Sequence, residues 1–371
     1  MSQENTDKLT ELLRDRYMYG QRIPSEAVRV YRDLTYITLI AQFDTAVQNL
    51  ADIGLQMVAQ DYMPVFDAIV RTLTGRKLVH MKDYGLQDYI TYELIGKGIT
   101  SKYLDKSLRL SAFTTIDVFS KNVALNAAII KARKQAKTLK GLSELEAKWG
   151  EVLPQKDFEQ FIDDLRSDKI TDLVHNMAFA ELARTQPISK LEMTPFALRN
   201  PNVRALYILK SFPIKQLDFA RIEVYNNIKA GNVSKGVKKA FDIVVAMSLA
   251  GIPISSIRNY LLGRDTDVDF TDFTDNIMKV YGLSNFFRDR FMGVSKEEAA
   301  KRRLEGDIHA RPMKPDPIPA VLGLVIPPYK LFTDLYNADP SIIRYLPPIG
   351  RIIHSRQREA EKELAAQGES R

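Results

Sequence analysis

The sequence predicts an all-α protein, an elongated multi-helix assembly with a proline-rich, irregular C-terminal segment. Apolar residues recur at three-to-four spacing through most of residues 1–185, which is the period of an amphipathic helix. Few segments show the alternation of apolar and polar residues that a half-buried strand requires. Nine prolines lie between residues 306 and 348, a density that interrupts long helices.

Composition narrows the functional classes. The chain has 371 residues, with 53 Lys and Arg against 46 Asp and Glu and a net charge of +7. This charge suits nucleic acid or an anionic membrane surface, although many soluble proteins carry as much. The absence of cysteine excludes disulfides, thiolate zinc sites, iron–sulfur clusters and a cysteine nucleophile. The four histidines, His80, His175, His309 and His354, show no metal-binding spacing.

The first predicted helices cover residues 6–17, residues 25–61 and a shorter stretch that Pro64 opens. Ser25 is a favourable N-cap for the second of these helices. The middle of that helix is apolar around nearly its whole circumference, a pattern typical of a helix buried between others. Gly75 predicts the end of the helix that Pro64 opens.

Helical periodicity continues over residues 86–95, 102–139 and 157–184, with a break over residues 142–150. The irregular stretch at Pro187 predicts a boundary, so residues 1–185 form the first predicted domain. Residues 186–305 form the second domain, and residues 306–371 form the proline-rich wrapping segment and charged C-terminal tail. The predicted helices of the second domain cover residues 202–230 with a kink at Pro213, the apolar stretch 234–262, and residues 272–281 and 295–304.

Two apolar runs, 243–257 and 318–326, are candidates for contact with a membrane or with another protein chain. The first is about fifteen residues long and contains Pro253, whereas a membrane-spanning helix needs about 20 apolar residues. Packing in the protein core is therefore the alternative explanation for both runs. The candidate contact residues are Ile243, Val244, Val245, Met247, Leu249, Ile252, Ile254, Val321, Leu322, Leu324, Val325 and Ile326.

The predicted helix over residues 102–139 carries four basic residues near its C-terminus, with no acidic residue between them. They are Lys131, Arg133, Lys134 and Lys137. Basic side chains are stabilised at a helix C-terminus by the helix dipole, so a solvated helix end is one explanation. The other is contact with phosphate groups of nucleic acid or of a membrane.

No motif in the sequence supplies a catalytic or cofactor site. Aspartates at alternate positions from Asp265 resemble the start of a calcium loop, but Phe270 and Asn276 occupy the positions that need Gly and Glu. The glycines around Lys97 lack the spacing of a phosphate-binding loop, and no nucleophile elbow or zinc-binding helix occurs. The sequence therefore predicts a protein that is not an enzyme, with no cofactor, no metal and no small-molecule substrate.

Five stretches of the sequence resemble a known family. They are residues 16–52, 182–195, 200–218 (NPNVRALYILKSFPIKQLD), 282–284 (GLS) and 345–351 (YLPPIGR). Together they resemble the C-terminal helical region of very large bacteriophage proteins, described as large polyvalent or internal virion proteins. In those giants this region follows other domains, whereas here it begins at Met1. We therefore expect a short stand-alone relative or a separately encoded piece.

The resemblance implies a role rather than a reaction. Proteins of this family are packaged in the capsid or delivered with the genome, and ejected ones are thought to pass the portal and reassemble across the host envelope. The resemblance therefore implies residence in the virion, in the capsid interior or tail, and then in the host cell envelope. The implied partners are the chain itself, other virion or ejection proteins, phage DNA and the host membrane. A helical chain without cysteine has no covalent cross-link to prevent unfolding and refolding.

Two other functions stay open at this point. An injected nucleic-acid-associated or anti-defence protein would act in the host cytoplasm and would bind DNA in a salt-dependent way. A delivery module would accompany a virion enzyme whose catalytic residues belong to another chain.

Overall fold

The computed structural model describes residues 3–17, 25–39, 41–85, 99–188, 193, 195–203, 215–216, 218–263, 340–347 and 349–369. Within these residues the chain is helical and contains no strand, which confirms the all-α class. The helices predicted over residues 86–95, 272–281 and 295–304 lie outside the described residues, as do Pro213 and nearly all of the proline-rich segment.

The helices are, in chain order, α1 Gln3–Tyr17, α2 Glu26–Leu39, α3 Phe43–Gln48, α4 Ile53–Gln60, α5 Tyr62–Leu73, α6 Ile99–Leu110, α7 Phe113–Ala136, α8 Leu139–Trp149, α9 Gln155–Arg166, α10 Asp172–Thr185, α11 Pro195–Arg199, α12 Asn226–Lys229, α13 Val233–Leu262 and α14 Gly350–Glu369. Short 3-10 helices cover Asn49–Asp52, Met81–Tyr84 and Pro340–Tyr345, and a π-helical turn, Arg221–Tyr225, leads into α12.

The helix predicted over residues 25–61 is in fact divided into α2, α3 and α4. In a continuous helix the carbonyl of Thr38 would accept from the amide of Gln42. Instead it accepts from Nη2 of Arg351, at 2.6 Å, so a side chain from α14 occupies the place of the helical bond. Burial was predicted for the middle of this stretch, where Tyr36, Ala41, Ala46 and Val47 are buried. Every residue of α4 is buried as well.

Three further differences concern helix ends. The helix predicted over residues 102–139 divides into α6 and α7 at Ala112, whose φ of 60° is left-handed, and that over residues 157–184 divides at Asp168, with φ of 58°. The break predicted over residues 142–150 is wrong, since residues 142–149 belong to α8 and Gly150 is its C-cap. The hydroxyl of Thr138 accepts from the amide of Gly141 at 3.1 Å and so caps α8.

Helix α7 lies at the centre of the described structure. All residues from 122 to 130 are buried, and the apolar ones divide between two core clusters. Leu125 and Ile129 pack with α9 and α10, whereas Val123 and Ile130 pack with α4, α5 and α13. A third, smaller cluster around Tyr36 joins α2 to α6 and α11. A helix buried on opposite faces needs apolar residues around its circumference, as this sequence has.

The second core cluster contains residues from both sides of the predicted boundary near residue 186. Phe219, Ile243 and Ala246 pack in it together with Leu55 and Val58. The predicted division into domains stays a prediction, but its first two parts share a core.

Candidate functional site

A polar cleft of about 180 Å³ lies where α4, α7, α8, α10 and α13 meet. Its apolar wall includes Ala128, Leu145 and Met177, and the only tryptophan of the chain, Trp149, lies at its edge. The remaining lining is largely charged and comes from residues that are distant in the sequence. The cleft is therefore a product of the tertiary fold.

Glu181 of α10 is the central carboxylate of the cleft. Its side chain is 6% exposed and forms an ion pair with Lys148 through Oε1. Its other oxygen, Oε2, accepts from Nε2 of Gln60 at 2.7 Å and lies 3.3 Å from Nη2 of Arg184. One buried carboxylate thus connects α4, α8 and α10.

A second carboxylate, Glu223, belongs to the π-helical turn. Its Oε1 accepts from Nη1 of Arg184 at 2.6 Å, and its Oε2 lies 3.9 Å from Nζ of Lys239. The guanidinium of Arg184 therefore lies between the two carboxylates, and it also stands over the ring of Phe219. Charge-assisted bonds of this kind are shorter and stronger than neutral ones.

The C-terminal end of α4 forms one edge of the cleft. The last carbonyls of a helix have no partner within it. Here the carbonyl of Ala59 accepts from Nζ of Lys131 at 2.9 Å and from Nη2 of Arg184 at 3.3 Å. The carbonyl of Val58 accepts from Nζ of Lys239 at 3.3 Å. Three cations from other helices therefore neutralise the negative end of the α4 dipole.

The protonation of the cleft follows from burial and from these pairs. Burial alone would raise the pKa of the Glu181 carboxyl, but the charges of Arg184 and Lys148 outweigh it and hold this pKa below its usual value. Burial lowers the pKa of Lys148, and the nearby charges of Arg184 and Lys131 act in the same direction. The charge of Glu181 acts in the opposite direction and raises the pKa of Lys148. Because Arg184 and Lys131 lower this pKa, the cations of the cleft are close enough to repel one another.

The four predicted phosphate contacts have different environments. Lys131 lies in the cleft, 3.1 Å from Oδ2 of Asp61, and Arg133 donates to the carbonyl of Asp168 at 2.5 Å. Lys134 and Lys137 are exposed. The structure therefore brings one of the four to the cleft, and phosphate contact by this group stays a prediction.

Sequence reasoning missed the other charged residues of the cleft. Glu181 and Arg184 stand three residues apart on one helix, which was the only local signal for the network. Lys148 and Lys239 come from helices that nothing in the sequence predicts to be neighbours.

Seven of the predicted apolar contact residues lie on α13, and the other five lie outside the described residues. Ile243 is 1% exposed and packs in the second core cluster, and Val245 is half-buried. The side chains of Val244, Met247, Leu249, Ile252 and Ile254 lie outside the described ones, as do Val321, Leu322, Leu324, Val325 and Ile326. Of the helices that the structure describes, none combines the length and the apolar character that crossing a membrane requires. A contact role for these residues stays a prediction.

Helix α5 carries an apolar face that the sequence analysis did not identify. Met63, Phe66, Val70 and Leu73 are between 51% and 71% exposed. Their spacing of three and four residues places them on one side of the helix. The opposite side, with Val65, packs in the second core cluster. We call these four residues the α5 face.

No group of three or more His, Asp and Glu residues in the described part of the chain is arranged to hold a metal ion. The chain matches no protein-family model, no curated protein and no solved structure.

Proposed function

We propose that the chain is an internal virion or ejection protein of a bacteriophage, structural and oligomeric, which helps to form a conduit or scaffold for genome delivery across the host envelope. In this proposal it is an elongated multi-helix assembly with a proline-rich C-terminal segment. It resides in the capsid interior or tail and then in the host envelope, and it associates with itself and with other virion proteins. The family resemblance and the α5 face support the proposal.

The α5 face is the main structural observation in favour of self-association. Its positions repeat as 63, 66, 70 and 73, which is the a/d spacing of helices that pack side by side. Removing such side chains from water stabilises an interface by about 25 cal/mol per Å² of apolar surface. A second copy is the natural partner, because most soluble oligomers are symmetric and use the same patch on both subunits.

Charges beside the α5 face are also self-complementary. Asp67 and Arg71 form an ion pair at 3.0 Å, and their side chains are 41% and 38% exposed. Across a two-fold axis, each could pair with its opposite number on the second copy. Exposed pairs of this kind contribute little affinity, but they fix the register of two helices.

Analytical ultracentrifugation tests the proposal through the double variant Phe66→Gln/Val70→Gln. We expect the wild-type chain to self-associate in a concentration-dependent way, and the variant to do so at least tenfold more weakly, since two buried apolar side chains are lost from the interface. The matched control is Tyr103→Gln/Leu110→Gln on α6, whose side chains are 64% and 59% exposed.

The control variant should associate like the wild type. A wild-type chain that is monomeric at every concentration would contradict self-association through this face. If both variants weakened self-association equally, the association would not depend specifically on the α5 face. Circular dichroism of each variant confirms that its helices are formed.

The envelope contact needs a separate test, namely flotation with anionic and neutral vesicles at low and high salt together with dye release. Flotation and leakage at high salt would support insertion through apolar segments. Binding that salt abolishes, without leakage, would reduce the contact to surface charge. A chain that never floats would overturn the membrane part of the proposal and leave a role within the virion.

One observation favours the alternative of an injected nucleic-acid-associated protein. Lys134, Lys137 and Lys140 are exposed around the junction of α7 and α8. If they bind DNA, affinity should fall steeply with salt, and Lys134→Gln/Lys137→Gln should reduce that slope by about two. A salt slope that is unchanged in the variant would remove this alternative.

A further inference from the structure

We propose that the polar cleft is a binding site for a phosphate group. The proposal is independent of the phage role, because it rests on the charges that converge in the cleft. Four of its lining side chains are cationic, Lys131, Lys148, Arg184 and Lys239. Three are carboxylates, Glu144, Glu181 and Glu223. Within the lining the cations outnumber the carboxylates by one, and Lys131 also pairs at 3.1 Å with Asp61, which lies outside the lining.

The cations have donor capacity that their described partners do not use. A lysine ammonium has three N–H donors. Among the described residues, Lys148 pairs with the Glu181 carboxylate and stands over the ring of Trp149. Nζ of Lys239 donates to the carbonyl of Val58 and lies 3.9 Å from Oε2 of Glu223. Nε of Arg184 is buried and has no hydrogen-bond partner in the described part of the chain. An orphaned guanidinium donor beside two ammonium groups is the donor set that an oxyanion needs.

The site is built rather than incidental. Arg184 is held on two carboxylates and on the carbonyl of Ala59, so its guanidinium has little freedom to move. Lys131 and Lys239 are anchored at the same helix end through carbonyls of α4. A preorganised set of cations loses less conformational entropy on binding an anion than flexible surface lysines do.

The size of the cleft admits a phosphate group. Its volume of about 180 Å³ is well above what a single water requires. Lys148 lies on its rim with 41% of the side chain exposed, whereas Glu181 is 6% exposed. An incoming anion would therefore meet Lys148 first. Lys148 and Arg184, which pair with Glu181, would keep the anion away from this carboxylate. Trp149, adjacent in sequence, offers an apolar surface to whatever carries the phosphate.

Phosphorus NMR titration of inorganic phosphate with the full chain, at fixed ionic strength, tests the proposal. We expect saturable binding that is weakened at least tenfold by Lys148→Gln. The amide can still donate to Glu181, so the variant removes the positive charge and leaves a hydrogen bond. Lys239→Gln provides a second test, with the same expected loss, should the first variant unfold. The matched control is Lys134→Gln, which removes an exposed charge from α7 outside the cleft and should leave the affinity within twofold.

Two further probes identify the source of the phosphate. Saturation by a nucleoside monophosphate but not by a short single-stranded oligonucleotide would assign the site to a small phosphorylated molecule. Binding of the oligonucleotide that is lost in Lys148→Gln would assign it to a nucleic-acid backbone. No saturable binding of any of the three probes, or equal weakening by Lys148→Gln and Lys134→Gln, would overturn the proposal.

Discussion

Two buried asparagines of α7 supply the hydrogen bonds that hold the backbone of residues 78–81 in place. Asn126 of α7 is fully buried; its Oδ1 accepts from the amide of Leu78 at 2.6 Å, and its Nδ2 donates to the carbonyl of Val79 at 3.0 Å. One turn earlier, Oδ1 of Asn122 accepts from the amide of Met81 at 2.8 Å. The non-helical stretch before Met81 thus obtains its hydrogen bonds from side chains, because buried backbone groups must be paired. Neither asparagine stood out in the sequence.

Glu181 makes the stability of the molecule depend on pH. Its pKa is held below the usual value of 4.5, so in the folded state it binds a proton less readily than in the unfolded state. The resulting stabilisation is complete above pH 4.5 and is lost as the pH falls from there through the folded-state pKa. We expect Glu181→Gln to lower the free energy of unfolding at pH 7 by about 2 kcal/mol, the scale of hydrogen bonds to charged groups.

Urea denaturation at pH 7 and near pH 3 measures this contribution. The difference between wild type and Glu181→Gln should shrink at the acidic pH, because a protonated Glu181 resembles glutamine. Glu144→Gln serves as the control, since Glu144 is exposed and accepts a bond from Nε2 of Gln135 at 2.8 Å. A difference for Glu181→Gln that is the same at both pH values would contradict the assignment of the pKa.

At the scale of elements, basic side chains repeatedly bind the carbonyls at the ends of helices that are distant in the sequence. Lys131 and Arg184 bind at the end of α4, Arg166 donates to Ala136 at the end of α7, and Arg351 donates to Thr38 near the end of α2. One of the two explanations that the sequence left open was that these basic residues stabilise the end of their own helix. Lys131 instead stabilises the end of another one. Part of the positive charge of the chain is therefore structural.

Helix α14 is held in place by two such arginines. Besides the bond from Arg351 to Thr38, Nε of Arg356 donates to the carbonyl of Leu261 at 3.0 Å and Nη2 donates to that of Tyr260 at 3.2 Å, at the end of α13. We expect Arg351→Ala/Arg356→Ala to release α14. Hydrogen exchange of residues 350–369 should accelerate at least tenfold, because a tenfold change corresponds to about 1.4 kcal/mol, the worth of one or two such bonds.

Arg358→Ala is the control on the same helix, because this side chain is exposed. Exchange in α14 should remain as slow as in the wild type. If instead the double variant leaves α14 protected, apolar packing rather than the arginines holds this helix.

At the scale of the whole molecule, periodicity predicted the class and the approximate helices but not how they connect. Helix α13, predicted over residues 234–262, was confirmed at Val233–Leu262, because apolar residues recur along its length despite Pro253. The divisions between α2 and α3 and between α6 and α7 were missed, since apolar spacing resumes beyond each of them and hides a break of a few residues. The cleft could not be predicted, because its charges come from separate helices and meet only in the folded chain.

Two nearby positions on α13 differ sharply in burial, so substitutions at them separate the effect of core packing from that of surface exposure. Ile243 is 1% exposed and packs with residues of α4, whereas Phe241 is 66% exposed. Ile243→Ala should lower the free energy of unfolding by about 2–4 kcal/mol, through lost burial and the cavity that remains. Phe241→Ala should change it by less than about 0.5 kcal/mol, as for most surface substitutions. Urea denaturation measures both.

Hydrogen exchange then tests whether the two predicted domains unfold together. Because Ile243 shares its cluster with Leu55 and Val58, the loss of its side chain should accelerate exchange in α4 as much as in α13. Acceleration confined to α13 would mean that the two parts of the chain unfold separately despite their contact. A common acceleration would mean that the boundary near residue 186 divides the sequence but not the cooperative unit, since cooperative unfolding follows shared burial rather than order along the chain.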